Sequence, residues 1–113
     1  MHEMALAEGV LQLCEDHARK AGATSVVAVW LEIGTLSHVE PEALEFSFEA
    51  VVNGTLAHGA RLEIDRVPGC GWCYDCSREV AVNALIDACP KCGGYRWQVT
   101  GGQEMRVKEM EVT

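Results

Sequence analysis

Two Cys-x-x-Cys pairs, Cys73–Cys76 and Cys89–Cys92, stand twelve residues apart and limit this chain's fold more than any other feature. Two sulfurs three residues apart on a tight turn can face one ion, and two such turns can complete a tetrahedral site. Gly93 and Gly94 follow the second pair, where a knuckle turn needs positive φ and close backbone approach. The spacing predicts a zinc ribbon, two knuckles held together by one metal ion. Four sulfurs leave no open coordination position, so the expected role of Zn²⁺ at Cys73, Cys76, Cys89 and Cys92 is structural, not catalytic.

The rest of the composition narrows the class. With 113 residues and 49% hydrophobic content, the chain should be one globular domain, or one domain with a small metal module. No apolar run is long enough to span a bilayer, and no basic segment precedes an apolar stretch at the N-terminus. The expected location is the cytosol, away from membranes. Six cysteines in such a chain point to metal, not disulfides. A net charge of −8 argues against nucleic acid as a partner. Inside the cysteine module Arg78, Lys91 and Arg96 only balance Asp75, Glu79 and Asp87.

The flanking segments read as an α+β domain. Residues 4 to 20 predict a helix with Met4, Ala7, Leu11, Cys14 and Ala18 on one face, flanked by Val10 and Leu13. Residues 25 to 33 predict a strand covered on both sides, with Val27, Val29, Leu31 and Ile33 on one face. Pro41 opens a second helix that buries Leu44, Phe48, Val51 and Val52. Its Glu40, Glu42, Glu45 and Glu49 form a solvated face or a docking surface for a basic partner. Residues 61 to 67 and 104 to 112 predict strands, the latter with a bulge near Lys108 or Glu109 that restores one apolar face. Within the module, short strands are expected over 79–85 and 95–99. The expected layout is a three-stranded sheet with two helices over 1–68 and 101–113, with a rubredoxin-like zinc ribbon inserted at 69–100.

The chain begins Met1-His2-Glu3. The α-amine, the backbone nitrogen of His2 and its imidazole can close fused rings around one ion. Nitrogen donors in a plane suit Ni(II) or Cu(II) better than Zn²⁺. Binding displaces protons, so affinity should rise with pH.

In its Met1-His2-Glu3 start, its Val29-Trp30-Leu31-Glu32-Ile33-Gly34 strand, its Phe46-Ser47-Phe48 helix and its paired cysteines, the chain resembles the HypA/HybF family of hydrogenase nickel-insertion accessory proteins. The resemblance covers essentially the whole length. It implies Ni(II) held at Met1 and His2 with Glu3 adjacent, and delivery to the large subunit of [NiFe] hydrogenase together with a GTPase. It implies a metallochaperone and not an enzyme, either monomeric or dimeric. The family pattern uses Cys73 and Cys76 for the first zinc pair, so Cys70, a departure from that pattern, is expected to be spare; exchange with Cys73 and an intermolecular disulfide are the alternatives open to it. His17, His38 and His58 are candidates for auxiliary nickel contact, but a surface or packing role is the commoner reading for each.

Two other classes fit parts of the sequence. A rubredoxin-like electron carrier would hold iron in the same four cysteines and would be red. A zinc-ribbon interaction module would use the metal only as a brace.

Overall fold

A computed structural model describes residues 3–113. Helix α1 (Glu3–Ala21) buries Glu3, Ala7, Val10, Cys14 and Ala18, a single face at helical spacing. Met4 and Leu13 are about half exposed, at 49% and 51%. The stripe therefore starts at Glu3 and not, as the apolar pattern suggests, at Met4. The helix ends in a Schellman turn: the Ala23 N–H reaches the Ala18 carbonyl at 2.8 Å and the Gly22 N–H reaches that of Arg19 at 3.2 Å. Gly22, at φ 69°, supplies the left-handed residue this turn requires.

Strand β1 (Val26–Gly34) is the centre of the first sheet, followed by α2 (Pro41–Val51) and β2 (Arg61–Val67). Strand β2 pairs with β1 in parallel, a pairing that needs a crossover, and α2 provides it. The last strand of the chain, Met105–Val112, lies antiparallel on the other side of β1. There Trp30 faces Glu109 but Leu31 faces Val107, so Lys108 is an extra residue, at the expected bulge. The slip lets Met105, Val107, Met110 and Val112 all pack on the same core. A second irregularity falls between Val26 and Ala28. It places Val26, and not Val27, in the core beside Val29, Leu31 and Ile33.

Strands β3 (Gly69–Cys73), β4 (Arg78–Val82) and β5 (Trp97–Gly101) form a second sheet in the order β4-β3-β5, and the Met105–Val112 strand is β6. Two of these strands are shifted from the sequence expectation. β4 stops at Val82 because the Asp87 carboxylate accepts the N–H groups of Asn83 and Ala84 and turns the chain. β5 begins at Trp97, two residues later than expected. β3 was not legible as a strand, since Gly69 and Gly71 carry no strand propensity. Both glycines are sterically required: a β-carbon on Gly69 would sit 2.7 Å from Cγ of Leu36, and one on Gly71 would meet the Trp97 ring.

The two sheets meet through Leu36. This residue follows β1, yet its side chain is 2% exposed and packs with Cys73, Val80, Val82 and Cys89 in the core of the second sheet. Its N–H donates to the Gly102 carbonyl at 2.8 Å. Gly34, Gly69 and Gly102 pack backbone against backbone around it, leaving no room for a side chain.

Candidate metal centre

Strand β3 carries Cys73 into the base of the first knuckle. The Ser77 N–H donates to the Cys73 carbonyl at 2.8 Å, and Ser77 takes φ 52°. The second knuckle repeats this plan: the Gly93 N–H donates to the Cys89 carbonyl at 2.8 Å, with Gly93 at φ 74°. In both, the fourth residue after the leading cysteine closes the turn in the left-handed region. Gly93 signals that conformation in the sequence, whereas Ser77 does not. The Cys89 N–H then donates to the Gly94 carbonyl at 2.7 Å and seals the second turn.

These turns bring all four expected thiols together, their sulfurs within 4.8 Å of one another. Cys73 and Cys92 are 3.7 Å apart, and Cys76 and Cys89 are 3.9 Å apart. A tetrahedron with metal–sulfur bonds of about 2.3 Å has edges of about 3.8 Å, so the cluster fits one structural zinc ion. A disulfide would need sulfurs about 2.05 Å apart, and all six cysteines are free. Backbone N–H groups of Cys92 and Lys91 aim at Cys89 and hold its thiol down to about 7. Desolvation, and then the neighbouring thiols, push Cys76 up to about 12. Four thiols crowded together resist ionising at once, and a cation is what would let all four become thiolates.

Cys70 lies elsewhere. Along β3 the odd-numbered residues Gly69, Gly71 and Cys73 are buried and the even-numbered ones face outward. Cys70 and Cys73 therefore point to opposite faces of the sheet, and Cys70 packs near the Pro68 carbonyl and Gly101.

Around the knuckles, Asp75 pairs with Arg96 at 3.1 Å, and the Trp97 indole N–H donates to the Asp87 carbonyl at 2.8 Å. The Asp75 pair is exposed and worth little alone. The Trp97 bond fixes the loop that leads into Cys89. None of these supports was read from the sequence, and Leu36 was the hardest to find, because it is distant in the chain from the module it fills.

Of the expected nickel triplet, Met1 and His2 lie outside the described residues. Glu3 is 9% exposed, and its carboxylate accepts the Glu40 N–H at 3.2 Å. His17 and His38 are exposed, and His58 Nδ1 accepts the Gly54 N–H at 3.5 Å. Among the described residues the four cysteines are the one group of three or more metal-capable side chains whose ligand atoms converge.

Residues 1–112 match the family model for HypA, described as hydrogenase/urease nickel incorporation, metallochaperone. The hydrogenase maturation factor HypA of Albidiferax ferrireducens is 60% identical over 112 residues, covering 99% of both chains. That of Dechloromonas aromatica is also 60% identical with the same coverage. The solution structure of the Ni metallochaperone HypA from Helicobacter pylori is 30% identical, with a TM-score of 0.70 over 99% of this chain and 97% of its own. A second HypA solution structure gives a TM-score of 0.74 at 30% identity, over 100% and 97%. The chain belongs to the HypA family of nickel metallochaperones for hydrogenase maturation. That membership does not favour the electron-carrier alternative.

Proposed function

We propose that this chain carries Ni(II) at its amino terminus and keeps its shape with a zinc ion, delivering the nickel to the large subunit of [NiFe] hydrogenase. The observation that carries this reading is the family match from residue 1, which includes the Met1-His2-Glu3 start. The α-amine of Met1, the backbone nitrogen and the imidazole of His2 are the nickel donors, and the ion is cargo. The amine must give up a proton to bind, so nickel uptake strengthens as the solution becomes more alkaline. Glu3 adjoins the site through its backbone, and its carboxylate holds the start of α2.

Zinc takes Cys73, Cys76, Cys89 and Cys92, and the fit of the four sulfurs to a tetrahedron supports this. The chain divides accordingly into a nickel-binding unit, 1–68 with 101–113, and a zinc ribbon, 69–100. It performs no chemical step of its own. A GTPase of the insertion pathway supplies the energy-dependent step, and the location is the cytosol. Among the described residues no helix is long and apolar enough to cross a membrane. The reading includes a homodimer as one working form.

The test is His2→Ala in cells. The account expects hydrogenase activity to fall to background and to return with millimolar nickel in the medium, while the purified variant keeps one zinc per chain. Full hydrogenase activity without added nickel would refute it.

A further inference from the structure

Between Lys20 and Arg61 the chain contains five glutamates and no lysine, arginine or aspartate. Three of them, Glu42, Glu45 and Glu49, lie on the exposed side of α2. None enters any of the ion pairs among the described residues. Phe46 stands among them with 75% of its surface exposed. On the helix surface it is flanked by Glu42 four residues before and Glu49 three residues after. The glutamates give this face its charge, and the exposed ring in their midst adds an apolar contact point to it.

The ring also borders a hollow. A depression of about 370 Å³ is lined by Phe46, Glu49, Ala50, Asn53 and His58. On the other side of Glu49 a second depression, of about 360 Å³, runs between α2 and β2 over Phe48, Val52, Ala60 and Leu62, with Glu45 at its rim. The second has an apolar floor and a carboxylate rim, and the first sets Phe46 and Ala50 beside Glu49, Asn53 and His58. That is the arrangement of an interface centre with an aromatic anchor and charged edges.

Charge selects the occupant. A second copy docking through the same face would set Glu42, Glu45 and Glu49 against their equivalents. Nucleic acid and anionic lipid would meet the same repulsion. We infer that the outer face of α2 docks a basic, partly apolar segment of another protein. Phe46 packs against that segment's apolar side chain, and the three glutamates face its lysines or arginines. Electrostatic complementarity of this kind speeds encounter and fixes orientation. The inference is independent of where nickel and zinc bind.

The experiment places a photo-crosslinking side chain at position 46 of the full-length protein, expressed in its own cells, and sequences the captured peptide. The expected peptide comes from a different protein, carries net positive charge, and has lysine or arginine beside an apolar residue. In clarified extract the crosslink should weaken about tenfold between about 0.05 and about 0.5 M salt. It should weaken comparably when Glu42, Glu45 and Glu49 are changed to glutamine, while zinc content and thermal stability hold. A captured peptide that is acidic, or that belongs to a second copy of this chain, would overturn the inference. So would a crosslink indifferent to salt and to the glutamine changes, or no crosslink at all.

Discussion

The carboxylate of Glu3 accepts a hydrogen bond from the backbone N–H of Glu40, 37 residues further along the chain, at 3.2 Å. The first turn of α1 is thereby tied to the residue that opens α2. Glu40 makes no side-chain cap of its own. The tie holds residue 3 against the start of α2. Glu3→Ala should cost about 1.5–3 kcal/mol in chemical denaturation, the usual loss for a hydrogen bond to a charged group. Glu3→Gln, which keeps an acceptor oxygen, should recover most of it. Equal losses in the two variants would show that charge, and not the bond, matters.

The glycines at the join between the sheets lead to a second expectation. A β-carbon on Gly34 would run into the Gly102 carbonyl, which is backbone and cannot move aside. Gly34→Ala should therefore destabilise the chain by about 3 kcal/mol, at the upper end of ordinary overpacking. Gly9 lies in α1, and a methyl there would meet nothing within 4 Å. Gly9→Ala should instead stabilise by about 0.5–1 kcal/mol through helix propensity. Opposite shifts in the thermal midpoint check both.

Leu36 connects the metal module to the rest of the fold, so its truncation should be felt at the zinc. Leu36→Ala should cost about 2–5 kcal/mol and speed zinc removal by a chelator, followed with a chromogenic zinc indicator. Cys70→Ser should leave both zinc content and removal rate unchanged, because Cys70 faces the other side of β3. Cys73→Ser should lose stoichiometric zinc. Retained zinc in Cys73→Ser, or lost zinc in Cys70→Ser, would reassign the ligand set.

Much of this was legible before any coordinates. The cysteine spacing located the knuckles, and the broken alternation of the last strand placed its bulge near Lys108 or Glu109, of which the structure has Lys108. What escaped depends on contacts between distant segments. Glu3 is buried where Met4 looked apolar enough to be, because the start of α2 offers the carboxylate an N–H. β3 escaped because glycine is a poor strand former, and the demand for glycine there comes from Leu36 and Trp97. Ser77 escaped because nothing about serine announces a left-handed turn.

Cys14 carries a pH dependence of known sign. It is fully buried in the face of α1, and desolvation, with a smaller contribution from Glu15, pushes its thiol from 9.0 up to about 11. Folding thus favours the protonated thiol. Its contribution is whole below about pH 9 and is lost as the pH rises towards about 11, amounting to about 3 kcal/mol. Zinc-loaded protein unfolded in denaturant at pH 8 and again near pH 11 should show this loss, and Cys14→Ala should show less of it. An identical loss in both proteins would assign the effect to another group.

The central claim is that two metals are held by two chemistries, nitrogen at the chain's first residues and sulfur at the paired turns. Equilibrium dialysis against Ni(II), comparing the native chain with one extended by a single residue before Met1, tests it most directly. The account predicts that the extended chain loses tight nickel binding and still carries one zinc. Undiminished tight nickel binding in the extended chain would contradict it.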